Sequence, residues 1–493
     1  MGAEVSGSDW SHEQKQRYRE KVRQNLDVFE RMLAKSSFDA GELTTGMEME
    51  LFLVDDHLEP SFTNAQVLDI IGHRAFQTEL ARYNVELNVN PRVLAGEAAF
   101  GLESDLREAL NSAHSKAEDA GAHMVQIGIL PTLMPEHFRE GWMSAGSRYA
   151  ALNNAIMRAR GENLRIDITG TGGERFAAYV DSIAPESACT SVQLHLQVAP
   201  QRFAAFWNAA QVFAGPQVAL AANSPFLCGH ALWHETRIPL FEQATDTRCE
   251  ELAAQGVRAR VPFGDRWITS VFDLFEDNVR YYPALLPELT DEDPVAVLDA
   301  GKAPALAELR LHNGTIWRWN RPIYDTIGDR PHLRVENRIL PAGPTVVDVL
   351  ANAVLYYGVV AAMAEDDRPI WSQMTFEAAH RNFVDAARDG LDARLYWPGY
   401  RSVPAGELVL NTMLPMAERG LAGWGVSRAV RDRYLSVIEG RCVRRQNGAT
   451  WQRDCVQRLE DAGRTRMEAL HEMLRRYCEG MHANRPVHEW ELP

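Results

Sequence analysis

The sequence has few cysteines and no pattern that would pair them. Six cysteines are scattered over 493 residues, and none forms a Cys-x-x-Cys motif. A chain of this length can bury a core large enough to fold without covalent cross-links. We therefore expect reduced thiols, with neither disulfides nor a cysteine-based zinc site supporting the fold.

Long apolar runs and clusters of positive charge are also scarce. No stretch comes close to the roughly 18 consecutive apolar residues that span a bilayer, and residues 1–9 lack the apolar core of a signal peptide. The net charge is −16 without a dense Lys/Arg run, which argues against nucleic acid or a membrane as a partner. We expect a cytoplasmic protein that acts on small molecules, with an oligomer possible.

Several familiar catalytic motifs are missing. There is no Gly-x-x-x-x-Gly-Lys-Ser/Thr loop, so any bound ATP is not held by a P-loop, and no Gly-x-Ser-x-Gly elbow supports a serine hydrolase. Gly170–Gly173 is too short for a dinucleotide fingerprint and predicts a turn. His230 and His234 do not form a His-Glu-x-x-His motif, which favours structural histidines.

Four short segments alternate between an apolar face and a face of charged or metal-binding side chains. They are residues 46–54, 85–89, 191–198 and 332–339. Side chains two apart in a strand share a face. The predicted neighbours are Glu48 with Glu50, Glu86 with Asn88, Gln193 with His195, and Arg334 with Glu336 and Arg338. Ordinary solvated strand faces carry Lys, Thr, Ser and Gln, so these segments indicate a sheet that holds divalent cations and phosphates.

The remaining sequence predicts helices around this sheet. Helical patterns cover residues 18–33, 67–83, 106–121, 201–222, 346–363 and 451–478. A short strand is predicted at 125–130, an Arg- and Trp-rich loop at 315–325, and no clear strand after Pro344. The fold class is therefore α+β, an antiparallel sheet backed by helices with a helical C-terminal part.

Two sets of polar residues can carry chemistry. The first comprises Glu48, Glu50, Glu79, Glu86, Glu336 and His195. Carboxylates suit Mg²⁺, so many of them together suit two or more ions, and histidine adds a ligand without adding charge. The second set is Arg318, Arg321, Arg334 and Arg338. Arginine binds phosphate and carboxylate bidentately, although a surface ion-pair ladder is the alternative for this set.

Five segments, in this order, resemble the glutamate–cysteine ligase family of carboxylate–amine ligases. They are residues 46–55, 79–88, 189–195, 221–237 and 315–338, within a similarity that runs from about residue 41 to 360. The family shares its sheet with glutamine synthetase, so the resemblance implies a half-barrel of antiparallel strands. It also implies a reaction in which ATP phosphorylates the γ-carboxylate of glutamate and the amine of cysteine displaces phosphate.

The resemblance further implies roles for individual residues. Glu50, Glu79 and Glu86 would bind one Mg²⁺, and Glu48, His195 and Glu336 would bind one or two more at the ATP phosphates. The remaining implied assignments are Arg338 and Arg334 to catalysis, Gln193 and Arg338 to ATP, and Arg237, Arg321, Arg318 and Asn223 to the amino-acid substrate.

The chain is divided into three predicted parts, and several functions stay open. The parts are a helical lead-in (1–40), a catalytic domain (41–365) and a helical C-terminal region (366–493). The expected partners are ATP, glutamate and an amine such as cysteine. Open alternatives are a ligase of the same fold for another amine or carboxylate, an amine or guanidino kinase, and a non-catalytic nucleotide-binding or regulatory protein. A metallohydrolase that cleaves without ATP is a fourth.

Overall fold

Seven strands form one curled sheet in which every strand pair is antiparallel. The computed structural model of the protein describes residues 7, 10–35, 38–39, 43–139 and 141–493. The sheet has the order β10-β11-β7-β1-β3-β2, and β4 pairs with β1. Its strands are β1 Thr44–Val54, β2 Phe76–Thr78, β3 Asn84–Val93, β4 His123–Val125, β7 Ser191–Gln197, β10 Asn320–Ile327 and β11 Arg330–Pro341. The antiparallel sheet that the sequence predicts is thereby confirmed.

Helices and three two-stranded hairpins complete the fold. The hairpin strands are β5 Leu164–Thr169 with β6 Arg175–Val180, β8 Phe226–Leu227 with β9 His230–Ala231, and β12 Arg394–Leu395 with β13 Val403–Pro404. The α-helices are α1 His12–Ala34, α2 Asn64–Ile71, α3 Ala98–Glu118, α4 Ser147–Arg160, α5 Pro200–Ala221, α6 Arg237–Ala244, α7 Glu250–Ala254, α8 Val271–Tyr281, α9 Pro294–Asp299, α10 Ala307–Asn313, α11 Val346–Ala364, α12 Phe376–Asp389, α13 Ala405–Leu408, α14 Leu414–Gly423, α15 Arg428–Arg444, α16 Gly448–Asp461 and α17 Arg466–His482.

The apolar side of the central strands packs on a helical layer. Met47, Met49 and Leu51 on β1 are buried in the same cluster as the apolar side chains of α5 and α11. Because alternate side chains of a strand point to opposite faces, burying these three residues directs Glu48 and Glu50 to the other face. The alternation that predicts this strand therefore also fixes where its acids point.

Four local predictions are wrong, and the structure gives the local cause for the first two. The helix predicted at 67–83 ends at Ile71, because Gly72 adopts a left-handed conformation (φ 59°) and caps it. Part of the loop predicted at 315–325 is strand β10, which buries Asn320, Pro322 and Tyr324 on one face. The strand predicted at 125–130 pairs only through Val125, and the C-terminal part contains the hairpin β12–β13.

Helix α11 corrects the expectation of no long apolar segment. Among the described residues it alone has the length and composition to cross a membrane, with a mean hydropathy of 1.8, and 94% of that window is buried inside the protein. Asp348 and Asn352 interrupt its apolar run, which is why counting consecutive apolar residues missed it. The helix packs against α5, α14 and α15, as a core helix does.

The last two helices, α16 and α17, pack against the end of β1 and the segment that follows β4. The pattern at 451–478 is two helices, α16 and α17, separated where Gly463 takes a positive φ and Thr465 caps α17. Side chains of both helices share an apolar cluster with Phe52, Val54 and residues 125–133. The predicted division into three parts stays a prediction, and its boundary at residues 40 and 41 lies outside the described residues.

A buried ion pair joins α15 to α11. Arg441, 1% exposed, donates to Asp348 Oδ1 at 2.8 Å and to Asn352 Oδ1 at 2.6 Å, and Asp348 is fully buried. Breaking such a pair leaves an uncompensated buried charge, which costs about 3–5 kcal/mol. We expect Arg441→Met to lower the free energy of unfolding, measured in urea, by about this amount.

The control for this substitution is Arg381→Met. Arg381 forms an exposed pair with Glu377 at 2.8 Å on α12, and such surface pairs contribute less than about 1 kcal/mol. Equal losses in the two variants would show that the buried pair has no special weight in stability.

Candidate functional site

The register of the central strands places the predicted ligands side by side. On β1, Glu48 faces Asn88 of β3 and Gln193 of β7, and Glu50 faces Glu86 of β3. Across the next strand pair, His195 of β7 faces Glu336 of β11. Directly opposed residues of antiparallel strands have their side chains on the same face. One face of the sheet therefore collects the polar side chains of four strands.

The first group of ligand atoms belongs to Glu48, His195 and Glu336, and these atoms lie within 4.8 Å of one another. His195 Nε2 is 3.1 Å from Glu48 Oε1, while His195 Nδ1 is buried without a hydrogen-bond partner. Glu336 is 2% exposed and accepts from Arg321 Nε at 2.5 Å and Nη2 at 3.0 Å. Two carboxylates and an imidazole form a donor set that a divalent cation can use.

Electrostatics keep both acids of this group ionised. Burial opposes ionisation of Glu48, but the charge and hydrogen bond of His195 outweigh it and lower its pKa. Burial likewise opposes ionisation of Glu336, and the guanidinium groups of Arg321 and Arg338 outweigh it and lower its pKa. The two carboxylates are therefore ready to bind a cation at neutral pH.

The second group is Glu50, Glu79 and Glu86, whose ligand atoms also lie within 4.8 Å of one another. Burial, followed by the charges of neighbouring acids, raises the pKa of Glu86 to about 7 and that of Glu79 well above its ordinary value. Burial also raises the pKa of Glu50. Three carboxylates crowded in this way repel one another, so a hard cation with oxygen ligands fits the donor set.

Hydrogen bonds hold all three acids of the second group in place, and Glu79 accepts from the Leu80 backbone N–H at 2.9 Å. Glu50 accepts from the Ser191 backbone N–H at 2.6 Å and from Gln193 Nε2 at 2.9 Å. Glu86 accepts from Asn88 Nδ2 at 2.6 Å. These donors use only some of the carboxylate lone pairs, and oxygens stay available for a cation.

Arg338 links the two groups. Its Nη1 donates to the Gln193 side-chain carbonyl and lies 3.5 Å from Glu336 Oε1. Burial disfavours its charge, but Glu336, Glu50 and Glu48 outweigh burial and raise its pKa. Its Nε is buried without a partner. A fixed cation between two candidate metal sites is suited to binding an anionic group there.

Comparison with known proteins identifies the family. The sequence profile of glutamate-cysteine ligase family 2 (GCS2) matches residues 44–480. The chain belongs to this family. The predicted family resemblance is thus confirmed, and membership indicates a ligase. Among curated proteins no match was found.

Two solved structures are similar to this chain at low identity. A glutamate–cysteine ligase from Francisella tularensis, solved in complex with AMP, is 12% identical, covers 93% of this chain and 91% of its own, and has a TM-score of 0.52. A bifunctional glutathione synthetase from Pasteurella multocida is 12% identical over 92% of this chain and 54% of its own, with a TM-score of 0.47. The first similarity confirms the predicted half-barrel with C-terminal helices.

Two residues that the family resemblance assigns to substrate lie in a buried network behind β11. Arg237 is 3% exposed and donates to the backbone carbonyls of Arg338 and Ile339. Its Nε also donates to Glu235 Oε1 at 3.0 Å. Asn223 Nδ2 donates to the Ala342 carbonyl at 2.7 Å and to Tyr477 Oη at 2.8 Å. Arg237 thus holds the strand that carries Arg338, whereas Asn223 holds the residue that follows the end of this strand. The substrate roles of both residues stay predictions.

Two predicted arginines have other partners than the ligand groups. Arg318, 2% exposed, donates to Asn278 Oδ1 at 3.0 Å. Arg334 Nη1 is 2.9 Å from His332 Nε2 and 3.6 Å from Asp325. By contrast, the predicted substrate residue Arg321 grips Glu336. The roles assigned to Arg318 and Arg334 stay predictions, whereas the placement of Arg321 and Arg338 brings both to the first ligand group.

Glu186 is a residue that sequence reasoning missed. It lies on a short 3₁₀ helix, Ala184–Ala188, that leads into β7. Burial, then the charge of Glu50, raises its pKa to about 8, and the charge of Arg338 opposes the rise. The negative charge of Glu50, a member of the second group, therefore acts on a fourth acid, Glu186. Strand alternation could not find it, because it precedes the strand.

The helices beside the sheet hold a histidine that makes stability depend on pH. His312 on α10 is 4% exposed, and its Nε2 pairs with the Asn278 carbonyl at 2.9 Å. Burial lowers its pKa to about 4, from 6.5. Between about pH 6.5 and about pH 4, His312 is protonated in the unfolded chain but stays neutral in the folded protein, so acid favours unfolding. We expect about 3 kcal/mol of stability to be lost over that range and no more below it.

This prediction is checked by the change in unfolding free energy between about pH 7 and about pH 4. His312→Gln keeps an N–H at the position of Nε2 and removes the titration, so it should reduce the acid-induced loss relative to wild type. His12→Gln, at an exposed position on α1, is the control. Parallel pH profiles for wild type and His312→Gln would contradict the assignment.

Proposed function

We propose that the protein is an ATP- and Mg²⁺-dependent ligase that joins the γ-carboxylate of glutamate to the amine of cysteine through an acyl phosphate. The observation that carries the proposal is the pair of ligand groups, Glu48–His195–Glu336 and Glu50–Glu79–Glu86, on one sheet face. Family membership supports the reaction class. The phosphates of ATP and the carboxylates of the amino acids are negatively charged. Cations held by these two groups would supply the positive charge that such substrates require at one place.

The donor chemistry of both groups fits Mg²⁺. Five carboxylates supply the oxygen ligands that this ion prefers, and His195 supplies one nitrogen. Glu48, His195 and Glu336 would hold the ions next to the ATP phosphates, and Glu50, Glu79 and Glu86 would hold one next to the glutamate carboxylate. When bound, Mg²⁺ would supply charge neutralisation and alignment of the oxygens.

The chain's own residues would position the reacting groups. Arg338 would stabilise charge on the transferred phosphoryl group, because its guanidinium is held between the two ligand groups by Gln193 and Glu336. Arg321, now bonded to Glu336, would bind a substrate carboxylate or hold Glu336 ionised. Nucleotide binding is further supported by the AMP in the related Francisella structure.

The reaction needs little acid–base chemistry from the protein. The γ-carboxylate attacks the γ-phosphorus of ATP, and ADP leaves. The amine then attacks the acyl carbon, a C–N bond forms, and the acyl C–O bond to phosphate breaks with loss of one amine proton.

Burial and neighbouring acids raise the pKa of Glu86 to about 7 and that of Glu186 to about 8, so these two acids have a pKa near neutrality. We place the enzyme in the cytoplasm, where ATP is plentiful.

The test is ADP and phosphate release with Mg-ATP and L-glutamate, with and without L-cysteine, together with mass spectrometry of the products. We expect cysteine-dependent ADP release and a product of the mass of γ-glutamylcysteine. Release that depends on another amine would retain the mechanism and change the substrate. A stable phosphorylated amine would indicate a kinase, and tight nucleotide binding without turnover would indicate a regulatory protein.

A further inference from the structure

Three histidines from separate elements meet around β4, the short strand that pairs with the end of β1. His114 lies near the end of α3, His123 begins β4, and His482 ends α17. The His114 ring lies 5.6 Å from the His123 ring and 4.6 Å from the His482 ring, measured between centroids. None of them belongs to the two ligand groups of the sheet.

A carboxylate lies between two of these rings. Glu118 Oε1 is 3.7 Å from His114 Nε2 and 4.0 Å from His123 Nδ1. Ligand atoms of these three residues all lie within 4.8 Å of one another. Three donors at such separations can converge on one ion with small side-chain movements.

The other nitrogen of His123 is already arranged for coordination. His123 Nε2 lies 2.8 Å from Asp56 Oδ1. A carboxylate that accepts the Nε2 proton leaves the Nδ1 lone pair free, and that lone pair faces Glu118. Metal-binding histidines characteristically have such a carboxylate or carbonyl partner on the nitrogen that does not bind the ion.

His114 must give up one contact to take part. Its Nδ1 accepts the Met124 backbone N–H at 3.2 Å, which is at the long limit for such a bond. Binding an ion through Nε2 moves the imidazole proton to Nδ1 and breaks this bond. Burial, then the neighbouring His482, lowers the pKa of His114 to about 4, so the ring is already neutral at physiological pH.

We propose that His114, Glu118 and His123 bind a first-row transition cation such as Zn²⁺. Imidazole ligands select Zn²⁺, Co²⁺ or Ni²⁺ over Mg²⁺, whereas the carboxylate-rich groups of the sheet favour Mg²⁺. The bound ion would connect the end of α3 to β4, the strand that pairs with Leu53 and Val54 of β1. The two kinds of site would therefore differ in metal preference.

The experiment is calorimetric titration of the full, tag-free chain with Zn²⁺ in excess Mg²⁺, which is added to compete with Zn²⁺ for the carboxylate groups of the sheet. We expect wild type to bind one equivalent of Zn²⁺ more than His123→Ala. Glu118→Gln keeps the side-chain shape and should weaken this binding by about tenfold or more, and Asp56→Asn by about tenfold to a hundredfold. Visible absorption of Co²⁺ at this site should be lost in His123→Ala.

Controls separate this site from the sheet and from loss of folding. His12→Ala removes an exposed histidine and should retain the wild-type Zn²⁺ stoichiometry. Glu336→Gln should retain Zn²⁺ binding at His114, Glu118 and His123. Circular dichroism checks that each variant is folded, and Glu118→Gln carries the test if His123→Ala is not. Wild-type stoichiometry and affinity in His123→Ala and Glu118→Gln would overturn the proposal.

Discussion

Replacing Glu336 by glutamine is expected to lower amine-dependent ADP release by about a thousandfold. The Glu336 carboxylate is 2% exposed, belongs to the first ligand group and lies within reach of both Arg321 and Arg338. An amide has the same shape but no negative charge. The variant therefore loses a cation ligand and leaves two guanidinium groups without their acid partner.

The measurement must separate lost chemistry from lost stability. A buried arginine that loses its carboxylate can cost several kcal/mol, so the thermal midpoint of Glu336→Gln is measured beside its rate. Glu48→Gln is the companion variant, since it loses the same ligand group while Arg321 and Arg338 keep Glu336. Glu377→Gln, on the surface of α12, is the matched control and should keep its rate. Rates similar to wild type in Glu48→Gln and Glu336→Gln would overturn the site assignment.

Arg338→Ala is expected to reduce kcat by about three orders of magnitude or more. Arginines that stabilise a transferring phosphoryl group contribute about 10³–10⁵ in rate. Arg338 is positioned for this by Gln193, Glu336 and the Arg237 side chain that binds its backbone carbonyl. Arg338→Lys restores the charge without the planar fork and should recover only part of the rate.

The kinetic pattern distinguishes a catalytic role for Arg338 from a structural one. Loss of an interaction made only in the transition state lowers kcat and kcat/KM together, with little change in KM. Arg381→Ala, at an exposed position, is the control and should leave both parameters unchanged. A raised KM with unchanged kcat in Arg338→Ala would assign Arg338 to ground-state binding instead.

Much of the ligand arrangement could be predicted from local pattern. Alternation in β1 and β7 set which side chains share a face, so Glu48 with Glu50 and Gln193 with His195 follow from spacing alone. The two groups that the family resemblance assigns to Mg²⁺ have the same members as the two clusters in the structure. Their role as metal ligands stays a prediction.

Pattern failed where burial or backbone conformation decided the outcome. The periodic pattern predicts a helix to residue 83, but the helix ends before Gly72, which adopts a left-handed conformation. The residue types around Tyr324 predict a loop, but Tyr324 is buried in strand β10. The Arg237 guanidinium donates to two backbone carbonyls of β11, and the substrate role that the family resemblance gives it stays a prediction. Whether an arginine faces a ligand or the protein depends on neighbours distant in sequence.

The sequence by itself determined the α+β class and the facing of each polar strand, because both depend on the periods at which apolar residues recur. It indicated the reaction family through the resemblance of five ordered segments to known ligases. Tertiary structure alone decided the order β10-β11-β7-β1-β3-β2, which brings Glu336 beside His195 across about 140 residues of chain (336 − 195 = 141). It also placed the His114 ring within 5.6 Å of the His123 ring and 4.6 Å of the His482 ring. Such contacts arise from packing between elements distant in the chain, which no local period encodes.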